Sequence, residues 1–330
     1  MARRAITMSD VARHIGVSRS AVSFAFNDEK QVSSETRARV LAAAAELGYR
    51  PNAGARALAG RTSDLFGLVT DIVSTPFAGE LIAGAQEWFW EHGKSLIIVG
   101  TPTPDHPDRR SVEMMLEHRV GGVMIATTFN RAIEIPRALD DIDVVLVHCY
   151  DEAGTHPSIV PDEQHGGYTA TRLLIERGRR RIALVSIDEH LDAARGRLAG
   201  YRQALDEAGI PVDPELIVIG GADAKTGYEA TSALLSRARP DGLFCGNDRI
   251  AMGAYDAARE HGLSIPSDLS IVGFDNHEVI AEYLRPSLTS IALPFHEMGR
   301  LGAELLVRDP ADRGTGRFTV RCPPILRDSV

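Results

Sequence analysis

Three cysteines in 330 residues, Cys149, Cys245 and Cys322, are too few and too widely spaced for a disulfide framework or a paired-thiolate zinc site. Each falls in or beside an expected strand and reads as a small buried apolar residue. The 11 histidines are scattered without ligand spacing, so neither a metal nor a cofactor is expected. No run of 18 or more apolar residues occurs, which leaves no candidate membrane helix. The start, Met1-Ala2-Arg3-Arg4, leads into polar residues rather than an apolar stretch, so no secretory leader and a cytoplasmic location are expected. Catalytic signatures are missing too. Gly93-Lys94-Ser95 resembles the end of a phosphate loop, but Trp88 stands where the first glycine must be and a strand-like run follows. The stretches beginning at His277-Glu278 and His296-Glu297 lack the second histidine of a zinc protease helix, and there is no Gly-x-Ser-x-Gly elbow. An enzyme is not expected.

What the chain does have is a charge asymmetry. Residues 1–61 carry ten Arg and Lys against five Asp and Glu, a net of +5, which leaves −14 on the remainder of a chain of net −9. One end is suited to a polyanion while the rest is repelled by it. Within that basic end, Thr7 and Asp10 have the spacing of a capping box, and Val11, Ala12 and Ile15 recur at helical spacing up to Gly16. Ser18 can cap a second helix from Arg19 to Phe26, with Val22 and Phe26 inward and Arg19, Ser20, Ser23 and Phe24 outward. A third helix opens at Ser33 and runs through Val40, Leu41, Ala44 and Leu47 to Gly48. Two short helices joined by a tight turn, with a third behind them, form the layout that lays one helix into a DNA major groove.

The residues in that layout are specific. Asp10-Val11-Ala12, Gly16-Val17-Ser18, Val22-Ser23, Asn27, Val32-Ser33, Thr36-Arg37, Leu47-Gly48-Tyr49 and Pro51-Asn52 resemble the amino-terminal signature of the lac repressor and galactose repressor family of bacterial transcriptional regulators. In weaker form the resemblance extends to the carboxyl terminus. It implies that Arg19 and Ser20 meet base edges, with Phe24 one turn further on. Arg19 has the chemistry for a bidentate contact with guanine O6 and N7, or it reaches only phosphate. Phe24 either packs on a thymine methyl or sits half-buried beside the bundle. Thr7, Ser18, Ser23, Asn27, Thr36, Tyr49 and Asn52 complete the expected DNA-binding set, mainly as phosphate anchors. The alanine-rich segment after Pro51 contains Gly54 and is too short to be a stable helix alone. By resemblance it is a hinge helix that pairs with its dimer mate in the minor groove, with Leu58 as a wedge and Arg56 beside it. The alternative for Leu58 is packing against the body in a plain linker.

From Ser63 onward, apolar branched runs at 65–69, 96–99, 122–126, 144–147, 182–185, 216–219, 243–245 and 271–274 alternate with helical stretches at 77–92, 109–118, 165–177, 195–208, 226–236 and 248–261. This is the pattern of parallel sheets covered on both faces, and about 270 residues suggest two such lobes. The expected fold is therefore an N-terminal all-α helix-turn-helix domain plus an α/β periplasmic-binding-protein-like sensor body of two parallel-sheet lobes. The expected division is residues 1–50 for DNA binding, 51–62 for hinge and linker, and 63–330 for effector binding and dimerisation. Within the last, lobe 1 is about 63–162 and 292–321, and lobe 2 about 163–291.

Open α/β sheets bind ligands at the carboxyl ends of their strands. Asn247 and Asp248 follow one expected strand, Asp275 ends another, and Asp162 stands at the first crossover. Resemblance adds Arg197 as an effector-contacting arginine and Phe77 as an aromatic at the cleft rim. One arginine among several acceptors suits a polyhydroxylated ligand. The structural alternatives are that Asp248 caps the helix that follows and that Asp275 braces the strand end. Ala78, Leu191 and Ala193 depart from the purine-responsive pattern, so a sugar or sugar derivative is expected as effector. The implied partners are double-stranded DNA with a pseudo-palindromic operator, a small-molecule effector and a second copy of the chain, with no membrane. Trp88, Trp90, Val112, Met115 and Leu116 lie either at a subunit interface or in the lobe core. Two other classes stay open: a sugar-binding module without DNA specificity, and a sugar-processing enzyme.

Overall fold

The computed structural model describes residues 6–26, 31–49, 63–71, 73, 76–101 and 109–330, without the side chains of Pro76 and Phe77. Asn27, Asn52, Arg56, Leu58 and the Phe77 side chain lie outside the described residues. The chain forms two compact units, Met1–Ser63 and Asp64–Val330.

In the first unit the helix ends are set by their caps. Helix α1 (Met8–Ile15) begins at a reciprocal capping box: the Asp10 amide donates to Thr7 Oγ1 and the Thr7 amide donates to Asp10 Oδ2 at 2.9 Å. It ends at Gly16, whose φ of 69° is the left-handed conformation that glycine adopts without a Cβ penalty. Helix α2 (Arg19–Phe26) starts behind Ser18, whose hydroxyl accepts from the Ala21 amide. Helix α3 (Ser34–Leu47) is capped by Ser33 and Gly48. Val11, Val22 and Val40 are fully buried, with Ala12, Ala25, Ala43 and Ala44 around them. Leu41 points outward at 44% exposure, since Val40, Ala43, Ala44 and Leu47 already make the i, i+3, i+4, i+7 stripe. Arg39 ties α3 to the end of α1 by donating to the Ile15 carbonyl.

The second unit runs β1 (Leu65–Thr70), α4 (Pro76–Glu91), β2 (Ser95–Gly100), α5 (Arg109–Glu117), β3 (Val123–Ala126), β4 (Val144–Val147), β5 (Pro157–Pro161), α6 (Glu163–Glu176), β6 (Ile182–Ser186) and α7 (Asp192–Glu207). It continues through β7 (Ile217–Ile219), α8 (Ala224–Arg237), β8 (Gly242–Cys245), α9 (Asp248–Glu260), β9 (Ser270–Asp275), α10 (Glu278–Ala281) and β10 (Thr289–Ala292). Helices α11 (Phe295–Val307) and α12 (Pro310–Arg313) and strands β11 (Gly316–Val320) and β12 (Pro324–Ile325) complete it.

The strands form two six-stranded sheets, ordered β11-β5-β4-β3-β1-β2 and β12-β10-β9-β8-β6-β7. Pairing is parallel throughout except for β12, which runs antiparallel to β10. Strands β3, β4, β6 and β8 are buried along their whole length because helices cover both faces, so their sequences are unbroken apolar runs. Each sheet has a core on either side, for example Phe89 and Met298 on one face of the first and Val112 and Met115 on the other. The three cysteines are free and buried.

The chain passes between the sheets three times: from β5 to α6, from β10 to α11, and from β11 to β12. These passages are laced together. The Asp162 amide donates to the Val320 carbonyl and the Ala292 amide to the Pro323 carbonyl, each at 2.8 Å.

Three helix pairs, α4 with α11, α6 with α7, and α8 with α9, cross on glycine. A Cβ on Gly84 would lie 2.0 Å from the His296 carbonyl oxygen, one on Gly200 2.0 Å from that of Gln164, and one on Gly253 1.9 Å from that of Ala224. Backbone cannot yield as a side-chain tip can. Gly200→Ala should therefore cost roughly 1–3 kcal/mol of overpacking strain and lower the melting temperature by several degrees. A melt that coincides with that of the parent chain would refute the close-crossing account.

Candidate functional site

On the first unit, α2 is fixed from below by Val22 and Ala25, which leaves Arg19 and Ser20 exposed at its amino-terminal end. Ser23 and Phe24 are half-buried, and Phe24 is not part of the helical core. Three of the expected DNA-binding hydroxyls also serve the fold. Thr7 donates to Asp10 Oδ2 at 2.7 Å, Ser18 caps α2, and Thr36 accepts from Ser33 Oγ at 3.0 Å. The Tyr49 ring packs against Phe26, with centroids 5.6 Å apart, and closes the end of the core.

In the second unit Asp162, Arg197, Asn247, Asp248 and Asp275 gather at the carboxyl ends of the strands in the second sheet and at the first passage. Arg197, on α7, is almost completely buried. Its Nε donates to Glu163 Oε2 at 2.7 Å, its Nη2 to Glu163 Oε1 at 3.2 Å, and its Nη1 to the Gly246 carbonyl. Asp275 Oδ1 lies 3.7 Å from Nη2, and the guanidinium stacks 3.6 Å from the centroid of the Phe274 ring. Asn247 caps α9 by accepting from the Ile250 amide at 2.8 Å, and its amide nitrogen donates to the Ala222 carbonyl. Asp248 is 1% exposed and accepts from Ser290 Oγ at 2.7 Å and from the His277 amide at 2.6 Å. It joins α9 to β10 and to the loop after β9, a bracing role rather than a helix cap. Asp162 caps α6 by accepting from the His165 amide and lines a cavity of about 460 Å³.

Other residues at the site carried no earlier expectation. Glu163 is the partner of Arg197. Tyr150, beyond β4 in the first lobe, donates to Asp192 Oδ2 on α7 of the second lobe at 2.6 Å, and this bond spans the two lobes. Asp71 follows β1 and accepts from the amide and hydroxyl of Thr128, with Arg131 at 3.4 Å. His148 follows β4 with φ of 58°, and Asp275 ends β9 with φ of 98°. Such conformations are costly for residues other than glycine and persist where the surroundings hold them. His148 Nδ1 donates to the Thr127 carbonyl at 3.0 Å, and the ring stands edge-on to Phe295. Position after a strand, the rule that selected Asn247, would also have selected His148 and Asp71. No sequence signal marks Glu163 or the Tyr150–Asp192 pair, because both depend on contacts between distant segments.

Burial shapes the charge states. It pushes the Asp275 carboxyl up to about 7, opposed by Arg197 and assisted by Glu163. It pushes Asp248 up to about 8, assisted by Asp275 and opposed by the two hydrogen bonds from Ser290 and His277. The His148 imidazole is pushed down to about 4, chiefly by burial, and is neutral near pH 7.

Three comparisons with known proteins accompany this geometry. Residues 7–52 match the family model described as bacterial regulatory proteins, lacI family, and residues 171–330 match a periplasmic binding protein-like domain. The chain is 34% identical to the ribose operon repressor of Haemophilus influenzae over 328 residues, covering 98% of each. It is also 34% identical to the HTH-type transcriptional repressor PurR of Vibrio atlanticus over 313 residues, 93% of this chain and 92% of that one. Among solved structures, a lac repressor dimer bound to operator and the anti-inducer ONPF superposes with a TM-score of 0.83 at 27% identity, covering 99% of both chains. A helix-turn-helix head joined to a two-lobed sensor body defines a class of ligand-controlled DNA-binding proteins. This chain belongs to the lacI family of bacterial regulatory proteins, and it is a DNA-binding transcriptional regulator rather than an enzyme.

Two outcomes test the electrostatics of the site. Asp248 and Asp275 titrate higher in the fold than in an unfolded chain, where an aspartate has a pKa of about 3.9. Between about pH 4 and 8 the fold therefore holds more protons, so their contribution to stability is complete below about pH 4 and is lost as pH rises through 7 to 8. Asp248→Asn should flatten that decline. Melting curves of variant and parent at pH 5.5, 7 and 8.5 would refute it if their slopes were parallel. Separately, Tyr150→Phe removes the bond between the lobes, worth about 0.5–1.5 kcal/mol, and should change effector affinity by roughly two- to tenfold in a calorimetric titration. An unchanged affinity would show that the bond is indifferent to ligand.

Proposed function

We propose that this chain is a repressor that binds a pseudo-palindromic operator as a homodimer, and that a sugar or sugar derivative in the cleft between its lobes sets operator affinity. The observation that carries the reading is the meeting of Arg197, Glu163, Asp275 and the Tyr150–Asp192 bond at the interface of two lobes that share one chain. Ligand and lobe closure are coupled there. Closure moves the first lobe, from which residues 51–62 lead to the head, and hinge helices that pair only at one spacing then form or melt. Leu58 is the proposed minor-groove wedge, with Arg56 beside it.

Arg19 is proposed to read a base edge, with Ser20 and Phe24 next to it, while Thr7, Ser18, Ser23, Asn27, Thr36, Tyr49 and Asn52 set register on phosphates. Asp162, Arg197, Asn247, Asp248, Asp275 and Phe77 remain the proposed effector set, with Asp248 acting through His277 and Ser290. For the dimer, Trp90 at 81% exposure and Leu116 on the first lobe present apolar surface, whereas Trp88, Val112 and Met115 are core. Val279 and Tyr283 are exposed apolar residues on the second lobe. Among the described residues no helix is long and apolar enough to cross a membrane, and a cytoplasmic location is part of the same proposal, since that is where a DNA partner would be met.

The test is genomic DNA capture with the purified full chain, repeated across a sugar panel, which gives operator, effector and direction of response together. Arg19→Ala should lose about 1–3 kcal/mol for the captured site and relax one base position. Leu58→Ala should weaken specific binding more than non-specific binding. Equal loss on specific and random duplexes would sink the base-reading and wedge assignments respectively.

A further inference from the structure

A cleft arginine ordinarily offers a planar fork for phosphate or carboxylate. In this protein most of the fork is already occupied. Glu163 takes Nε and Nη2 in a bidentate pair at 2.7 and 3.2 Å, the Gly246 carbonyl takes an Nη1 hydrogen, and Asp275 stands 3.7 Å from Nη2. Arg197 has five N–H groups. Three make hydrogen bonds within the protein, and one cation faces two carboxylates. The side chains of Arg197 and Glu163 are 4% and 6% exposed, so water does little to screen them.

The pair is imposed by backbone. Helices α6 and α7 approach so closely that a Cβ on Gly196 would lie 2.6 Å from Glu163 Cβ, and one on Gly167 would lie 2.3 Å from the Arg197 carbonyl oxygen. Neighbouring cations are answered in part, for Arg249, exposed at the start of α9, acts electrostatically on Asp275. Arg131 pairs with Asp71 and Arg195 with Asp192, while Arg317 stacks on Tyr150 in a cavity that also holds Asp162, Glu163 and Asp192.

We infer that Glu163 is a specificity-determining residue: by occupying Arg197 it turns the cleft into an acceptor-rich site for uncharged, hydroxyl-bearing ligands and rejects their phosphorylated and acidic counterparts. An anion entering beside Arg197 has to displace a buried carboxylate and leave it unpaired next to Asp275. A neutral polyol displaces nothing, since its hydroxyls donate to Asp275. This inference rests on the effector-cleft reading above and adds the charge class of the ligand.

The experiment uses the full chain and Glu163→Gln, which has nearly the same volume and keeps an acceptor for Arg197. Both are titrated with inorganic phosphate at constant ionic strength by calorimetry, and with neutral sugars each paired with its phosphate ester and its aldonic acid. Glu163→Gln is expected to gain a saturable phosphate site that the parent lacks, and any sugar that binds the parent is expected to bind at least tenfold more tightly than its anionic counterparts. The same phosphate response in both proteins, or none in either, overturns the inference. An anionic panel member that binds the parent as tightly as its neutral form overturns it without recourse to the variant. Operator retention in the same samples separates the two readings. A panel ligand that binds without changing DNA affinity argues against the cleft as an effector site, whereas phosphate binding by the parent removes only the role of Glu163.

Discussion

Two parallel sheets end face to face, and the chain that joins them crosses at three adjacent places bound to one another through backbone. The Asp162–Val320 and Ala292–Pro323 hydrogen bonds make a short ladder of the passages, so each lobe can turn about it but cannot slide freely along it. Everything in the sensor body follows from that constraint. Asp162 caps α6 directly beside the ladder, Glu163 is the first residue of that helix, and Arg197 is brought to Glu163 by α7. Tyr150 and Asp192 then hold the lobes at the rim. In the proposed mechanism a cleft ligand would act on lobes that the backbone already joins along this ladder.

The sequence makes the sheet interiors easy to read and their edges hard. Strands such as β3, β4 and β6 are buried on both faces, and an uninterrupted apolar run is the direct record of that burial. Strand β5 begins and ends in proline, β10 opens with Thr289-Ser290, and β11 at the sheet edge alternates exposed and half-buried residues around Arg317. None of these has the apolar run, so none was expected as a strand. Leu41 illustrates a finer limit, since one position along a helix turns a side chain by about 100°. A leucine adjacent to Val40 cannot share its face.

At the cleft, sequence reasoning located the groups that follow strands but not the partners that fix their chemistry. Arg197 was expected there only by resemblance, and its pairing with Glu163 was not expected. The pairing depends on α6 and α7 meeting over Gly167, Gly196 and Gly200, and the sequence records only the glycines, not which helix they face. Asp248 was legible as a carboxylate at a helix start. Its bonds to Ser290 and His277, which lie far along the chain, replace solvent with two donors, and burial still outweighs them in holding the proton. Similarity to relatives adds family and fold without supplying this chemistry, because the ribose operon repressor and PurR are equally identical to the chain and differ in name.

The two units also differ in how much stability each can hold. Among the described residues the head buries three valines and four alanines, with partly buried apolar residues such as Met8, Ile15 and Leu47 packed against them, and a unit of about 60 residues buries a smaller share of its surface than a larger one and is correspondingly marginal. Its caps matter correspondingly, since each contributes about 1 kcal/mol. A marginal, cationic head gains most from DNA, because a partner that binds only the folded form stabilises it by mass action. The body is larger, acidic and packed on four core faces. Coupling between the sites is then reciprocal: whatever factor a cleft ligand imposes on operator affinity, the operator imposes on that ligand. A bond between the lobes worth only about 1 kcal/mol is well scaled for this purpose. Under the proposed mechanism it would bias the arrangement of the lobes without fixing it, and so leave the equilibrium within reach of a single small molecule.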